Sequence, residues 1–208
     1  MQRNLDISRR TASLIYCLLD RRAAYLDVGG GYGILTRLMR DLGFDFYWSD
    51  PMCENIFARG FELPRTFGSL GGLTAFEVME HVQDPLTFTS DLFETHSTKT
   101  MVFTTTLFEG QPPDPATWWY YAFDTGQHVS LYQSRTLKEL ALKLDVNVYS
   151  HGGYFHLLTD RKIYEPWFHA CVGKLSHLIR PWATRRLGSR TFADHQLLKV
   201  DIKQSVDS

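Results

Sequence analysis

The 208-residue chain has only three cysteines, Cys17, Cys53 and Cys171, and no CxxC pair. That excludes a disulfide framework and a cysteine-built zinc site, and it suits a reducing, cytoplasmic compartment. Long apolar runs are missing too. The longest, at 12–19, falls far short of the roughly 20 residues a bilayer span needs. It ends at Asp20 with no small-residue cleavage site after it, so no signal peptide is read there. An excess of one charge is also absent: Lys+Arg 22 against Asp+Glu 23 leaves a net charge of -1. A dedicated nucleic-acid binder would be strongly basic, so nucleic acid is a disfavoured partner. What is present is ordinary for a globular protein, with 44% hydrophobic and 22% charged residues. The length suits one domain with an appendage.

Hydrophobic spacing predicts an opening amphipathic helix over 8–20, with Leu14, Ile15, Leu18 and Leu19 on one face. A strand at 24–28 runs into a glycine-rich turn. A helix follows at 34–42, with Gly43 as C-cap, and a second strand at 44–49 closes on Asp50 and Pro51. The pattern continues with a short helix at 54–59, a weak strand at 65–67, a better strand at 73–78, a helix at 85–93 and a β-prone run at 100–106. A polar and aromatic loop fills 107–132. Ser134 is expected to cap a helix running to 144. Strands at 146–150 and 154–159 flank Gly152 and Gly153 as a hairpin. Strands alternating with helices imply an open, mostly parallel α/β sheet that binds its ligand at the C-terminal ends of the strands.

The tail differs in character, and the chain divides into a domain over 1–160 and a basic amphipathic extension over 161–208. Residues 161–190 hold seven Lys/Arg against one Glu. Trp167, Phe168, Cys171, Leu175, Leu178, Ile179 and Trp182 keep helical spacing. The favoured use of such a helix is to cover the sheet or a dimer face. Peripheral contact with an anionic membrane is a second use, and RNA contact through Arg185, Arg186 and Arg190 a weaker third. The chain reads as frayed from about 201.

The sharpest motif lies between the first strand and its helix: Asp27-Val28-Gly29-Gly30-Gly31-Tyr32-Gly33. Glycines here permit positive φ and let a ligand approach the backbone closely. The spacing is DxGxGxG. The dinucleotide fingerprint GxGxxG would need its third glycine at Ile34, and no Walker lysine follows, so a nicotinamide or flavin enzyme is disfavoured.

This turn resembles that of the class I S-adenosylmethionine (SAM)-dependent methyltransferases. The resemblance implies SAM as cofactor. It also implies a Rossmann-like seven-stranded sheet with an antiparallel last strand and helices on both faces. By position, Asp27 would meet the amino-acid part of SAM, and Gly29, Gly30, Gly31 and Gly33 would make room for it. Asp50, before Pro51, falls where the family holds the ribose, and a carboxylate there can accept from both ribose hydroxyls. The plain alternative is a turn-forming Asp before proline. Ser69 is the nearest polar candidate for the adenine, and Glu77 joins the cofactor-facing set.

Residues 73–85, LTAFEVMEHVQDP, look like the fourth strand and following turn of the ubiquinone-type O-methyltransferases, a likeness that covers about 22–145. Glu77, Glu80 and His81 lie at i, i+3 and i+4, and a helical turn over 78–82 would project all three to one side. Two carboxylates and an imidazole suit a divalent ion, and His128 in the long loop offers a fourth ligand. The set also resembles the ExxEH plus distal His of the small-RNA 3′-terminal 2′-O-methyltransferases. That implies a metal (Mg, Mn or Zn) that binds neighbouring hydroxyls. Otherwise the His packs or caps and the glutamates are solvated, and His81 or His128 remains a general-base candidate.

Trp118, Trp119, Tyr120 and Tyr121 sit in the segment 111–132, which reads as a lid. Their rings could stack on an acceptor or pack down on the sheet. The expected activity is methyl transfer to a hydroxyl of a small or medium-sized acceptor of sugar, phenolic or glycan type. A metal-free N- or C-methyltransferase and a non-catalytic SAM-binding scaffold stay open, and oligomeric state is not legible.

Overall fold

A computed structural model describes residues 2–64, 67–124 and 128–206. The fold is α/β, with a mixed sheet of six strands and flanking helices. Contacts group the chain into two units, Met1–Pro64 with Ala170–Ser208, and Arg65–His169. This grouping divides the tail at 169/170 rather than at 160/161.

The first unit opens with α1 (Gln2–Leu18), longer than the expected 8–20 helix at its start and ending two residues earlier. Then come β1 (Ala24–Val28), α2 (Ile34–Asp41) and β2 (Asp45–Ser49). β1 and β2 pair in parallel, with Asp27 opposite Trp48 and Val28 opposite Ser49. Gly43 follows α2 at φ 100, the left-handed conformation that ends helices. The core of this unit gathers Leu14, Ile15, Tyr25, Leu26, Met39, Phe44 and Phe46.

The second unit holds β3 (Gly72–Ala75), α3 (Pro85–Thr95), β4 (Met101–Thr104), α4 (Ser134–Lys143), β5 (Asn147–His151) and β6 (Phe155–Thr159). β3 and β4 are parallel, and β6 runs antiparallel to both β4 and β5. The antiparallel last strand and the hairpin are therefore as expected. Both Gly152 and Gly153 have φ 65, as a two-residue turn of the type that suits strand twist requires. β3, β4 and β6 are buried along their whole length.

The expected helix at 54–59 is instead a run of turns. Asn55 explains it: its Oδ1 accepts from the Ala58 amide at 2.9 Å and its Nδ2 donates to the Ala58 carbonyl at 2.7 Å. Such local side-chain bonds compete with the helix ladder. A seventh strand is not formed among the described residues. Between β2 and β3 the described residues make an isolated parallel bridge, Trp48 with Glu62, flanked by Gly60 and Pro64, which weaken strand pairing. The expected strand at 65–67 falls on residues 65 and 66, outside the described residues.

The N-cap of α4 is Gln133 rather than Ser134. Its backbone amide donates to Thr136 Oγ1 at 3.3 Å and its side chain donates to the Gly110 carbonyl at 2.8 Å. The tail forms three helices rather than one: α5 (Glu165–Val172), α6 (Ser176–Leu187) and α7 (Thr191–Val206). The spacing of apolar residues runs through Gly173, where the helix stops. α7 covers the residues from 201 that read as frayed. No helix among the described residues is long and apolar enough to cross a membrane.

Candidate active site

In the first unit, β1 delivers Asp27 to the head of the glycine turn, where it is buried. The amides of Gly29 and Gly30 donate to the Ser49 carbonyl at 2.9 and 3.3 Å. Gly29, Gly31 and Gly33 have φ 64, 53 and 84, so three of the four glycines sit where L side chains are strained. Gly30 is needed for space: a Cβ there would lie 2.6 Å from Trp48 Cδ1 and 3.0 Å from Asp27 Oδ2. At Gly31 an added Cβ would meet nothing within 4 Å. The turn thus exposes open backbone, as a cradle for a close-fitting ligand must.

Asp50 takes the turn-forming role its position offered. Its Oδ2 accepts from the Gly31 amide at 2.9 Å, and its Oδ1 accepts from the amides of Met52 and Cys53 at 2.7 and 3.0 Å. It therefore builds the turn at Pro51 and braces the glycine loop, with lone pairs left over for further donors. Sequence reasoning missed Trp48. Its indole Nε1 donates to the Gly31 carbonyl at 2.9 Å, and only its place on β2 hinted at this.

In the second unit, Glu77 follows β3 in a left-handed conformation, φ 57, which is uncommon for a non-glycine residue and recurs at functional sites. Thr104 Oγ1 and the Tyr154 hydroxyl both donate to Glu77 Oε1 at 2.9 Å. A 3-10 turn at Met79–His81 comes next. It buries Glu80 completely, and among the described residues neither Glu80 oxygen has a hydrogen-bond partner from another residue. Burial pushes the Glu80 carboxyl above its ordinary value. Nearby Glu77 adds to this, while its own backbone amide, His81 and His128 oppose it.

The structure brings Glu80, His81 and His128 together, with one ligand atom of each within 4.8 Å of the others. The distal loop is held there by backbone bonds, since the amides of Val129 and Ser130 donate to the Glu80 carbonyl at 2.8 and 3.0 Å. The Tyr132 hydroxyl adds a bond to the Met79 carbonyl at 2.8 Å. His128 Nδ1 lies 2.6 Å from the Tyr120 carbonyl. A carbonyl only accepts, so Nδ1 carries the proton and Nε2 keeps its lone pair. Glu77 is not part of this trio. Its left-handed backbone breaks the i, i+3, i+4 alignment, and Thr104 and Tyr154 hold its side chain.

The four loop aromatics separate. Tyr120 is buried and bonds Thr105 Oγ1 and the Thr106 amide at 3.1 and 3.0 Å. Burial pushes its hydroxyl up to about 12, and its two hydrogen bonds pin the loop down. Trp118 packs edge-on against Phe108 and Tyr121. Tyr121 donates to the Pro113 carbonyl at 2.9 Å and stacks on Phe123. Trp119 is 75% exposed. Residues 125–127 of the expected lid lie outside the described residues. Ser69 is exposed, in a segment without regular structure.

A methyltransferase domain family model matches residues 2–151. The chain belongs to that family, and it is a class I SAM-dependent methyltransferase. No match is found among curated proteins. Among solved structures, an O-methyltransferase family protein from Burkholderia thailandensis is similar at 12% identity and a TM-score of 0.54, over 75% of this chain and 56% of that one. A mitomycin 7-O-methyltransferase is similar at 16% identity and TM-score 0.51, over 73% and 53%. A SAM-dependent methyltransferase, "possible histamine N-methyltransferase", from Thermotoga maritima follows at 11% and 0.51, over 75% and 89%. The chain thus spans about half the length of the first two. At these identities the likeness is one of fold.

Proposed function

We propose that this methyltransferase acts on a hydroxyl oxygen of a small or medium-sized acceptor, of sugar, phenolic or glycan type, beside Glu80, His81 and His128. One observation carries the reading: two buried Glu80 oxygens without a partner, next to two imidazoles. A buried carboxylate in that state needs a proton or a cation. An oxygen and two imidazole nitrogens suit Zn or Mn, while Mg prefers an all-oxygen set.

Asp27, Gly29, Gly30, Gly31, Gly33, Asp50 and Pro51 are the residues assigned to SAM, with Ser69 and Glu77 completing the set. The open backbone at Gly31 and the crowding at Gly30 fit that assignment. SAM supplies a methyl group on a sulfonium sulfur, whose C–S bonding pair stays on sulfur at transfer. Glu80, His81 and His128 would hold the divalent ion, which supplies Lewis acidity and a fixed place for oxygen.

The residues themselves do the rest. Asp27 and the open backbone of the glycine turn at Gly31 bind and orient. Thr104 and Tyr154 fix the Glu77 carboxylate. His128 Nε2, with Nδ1 bound to the Tyr120 carbonyl, is the atom that takes the hydroxyl proton when no ion occupies it. The acceptor loses an O–H bond and gains an O–CH3 bond, so charge and atoms balance.

Calorimetric titration of SAM and S-adenosylhomocysteine, with and without Mn²⁺, tests the reading on wild type and Glu80→Ala. Binding of both nucleotides, with Mn²⁺ uptake by wild type alone, supports it. Nucleotide binding without a metal response removes the ion and leaves histidine-assisted transfer. No nucleotide binding overturns the SAM site.

A further inference from the structure

The first unit carries a basic aromatic hollow that the proposed chemistry does not use. On α6, Leu178, Trp182, Arg185 and Arg186 lie at i, i+4, i+7 and i+8, one helical face. That face is exposed: Leu178 is 69% and Trp182 50% accessible, whereas Ser176 and Ala183 are fully buried. α6 packs with α1, and the Tyr16 ring meets Trp182 edge-on at 5.0 Å. Beside them lies a hollow of about 410 Å³ lined by Tyr16, Arg21, Arg22, Trp182, Arg186 and Leu187.

Two of the charges in this hollow lie against aromatic rings. Arg21 sits 4.8 Å over the Tyr16 ring and Arg186 5.6 Å over the Trp182 ring. Among the described residues, none of Arg21, Arg22, Arg185 and Arg186 pairs with a carboxylate. Three guanidiniums from two chain segments share a hollow with a half-exposed indole, Arg185 lies on the same helix face, and an anionic surface relieves their mutual repulsion. Nucleic acid would use the arginines and leave Leu178 in water. A bilayer uses both, because Trp and Leu enter the headgroup–acyl boundary while arginines reach phosphate.

We infer that this face of α6, with Arg21 and Arg22, docks on a membrane surface rich in anionic phospholipid. Leu178 and Trp182 insert, and Arg21, Arg22, Arg185 and Arg186 take the phosphates. The inference does not depend on the acceptor or on the metal.

Co-sedimentation of the full chain with vesicles decides it. One set is phosphatidylcholine alone, and the other is equal parts phosphatidylcholine and phosphatidylglycerol. The expected result is binding to the mixed vesicles only, lost in high salt. Each arginine near a charged surface contributes about fivefold, so Arg21→Gln with Arg186→Gln weakens binding by about 25-fold. Exposed Arg135 on α4 serves as control, and Arg135→Gln leaves binding unchanged. Bromine-labelled acyl chains quench wild-type fluorescence more than that of Trp182→Phe. Absence of binding to the mixed vesicles, or equal weakening by Arg135→Gln, overturns the inference. So does retention of single-stranded RNA with vesicles ignored. The wild-type comparison of the two vesicle sets stands whether or not a variant folds.

Discussion

Two adjacent glycines of the same turn are constrained for different reasons, and substitution separates them. At Gly30 the obstacle is space, since a Cβ would lie 2.6 Å from Trp48 Cδ1 and 3.0 Å from Asp27 Oδ2. Gly30→Ala must therefore push both side chains. Overpacking of this kind costs about 1–3 kcal/mol. Because Asp27 itself moves, calorimetry should show S-adenosylhomocysteine binding at least about tenfold weaker, by proximity arguments. At Gly31 the obstacle is φ 53 in open space. Gly31→Ala should cost only the left-handed penalty, about 1–2 kcal/mol, read from urea unfolding. Glu80→Gln is expected to act with opposite signs on stability and function. Removing a buried carboxylate without a partner relieves desolvation, so the metal-free protein melts no lower than wild type. Mn²⁺ uptake is lost, and turnover with it by at least about 100-fold, the upper end seen for outer-shell changes at metal sites. Unchanged turnover would remove Glu80 from the chemistry. The sequence showed Asp27, the glycines, Glu80 and His81 through local spacing. It could not show that Glu77 stays outside the trio, because that depends on one left-handed backbone angle and on Thr104, in β4, and Tyr154, in the β5–β6 turn, both far along the chain.

At the scale of elements, α7 is fastened to α2 by a buried ion pair. Arg40 donates from Nε and Nη2 to both Asp194 oxygens at 2.9 and 2.7 Å, and its Nη1 reaches Asp45 and the Phe46 carbonyl. The guanidinium also lies 3.8 Å over the Phe61 ring. Burial alone would raise the Asp194 carboxyl, but hydrogen bonds and charge from Arg40, then Arg37, hold it below the usual carboxylate range. A depressed folded value makes the contribution full above the unfolded value near pH 4 and lost as pH falls through the folded value. Asp194→Asn leaves Arg40 with fewer partners and should cost about 3 kcal/mol, the low end for breaking a buried pair, because Asp45 remains. Urea unfolding from pH 7 downward checks both parts: the variant starts less stable and loses less on acidification. Nothing local in the sequence pairs residue 40 with residue 194, so the tail read as a separate extension. The N-cap of α4 falls at Gln133, one residue before Ser134, because Gln133 and Thr136 form a capping box, a pairing that a glutamine does not advertise in sequence. The hairpin and β1, α2 and β2 were legible because their signals, alternation and glycine position, lie within a few residues of one another.

At the scale of the whole molecule, a ligand that binds only the folded chain stabilises it by mass action. At 100 times its dissociation constant the gain is about 2.7 kcal/mol. For a chain of this size each kcal/mol moves the melting temperature by about 2–4 °C, so saturating S-adenosylhomocysteine should raise it by about 5–10 °C. The shift needs no acceptor and no metal, and so it reads the SAM assignment separately from the proposed chemistry. The glycine turn makes a further demand on the same measurement. GxGxxG is absent, and Ile34 stands where the fingerprint's third glycine would let helix and strand pack closely. NADH at the same concentration should therefore leave the melt unchanged. Gly30→Ala should remove about half or more of the S-adenosylhomocysteine shift, while Glu80→Gln should keep it whole, since the trio in the second unit is assigned to the acceptor and its ion. A shift lost in Glu80→Gln would move that carboxylate from the acceptor to the cofactor. A shift with NADH would return the fold to nucleotide chemistry of another class.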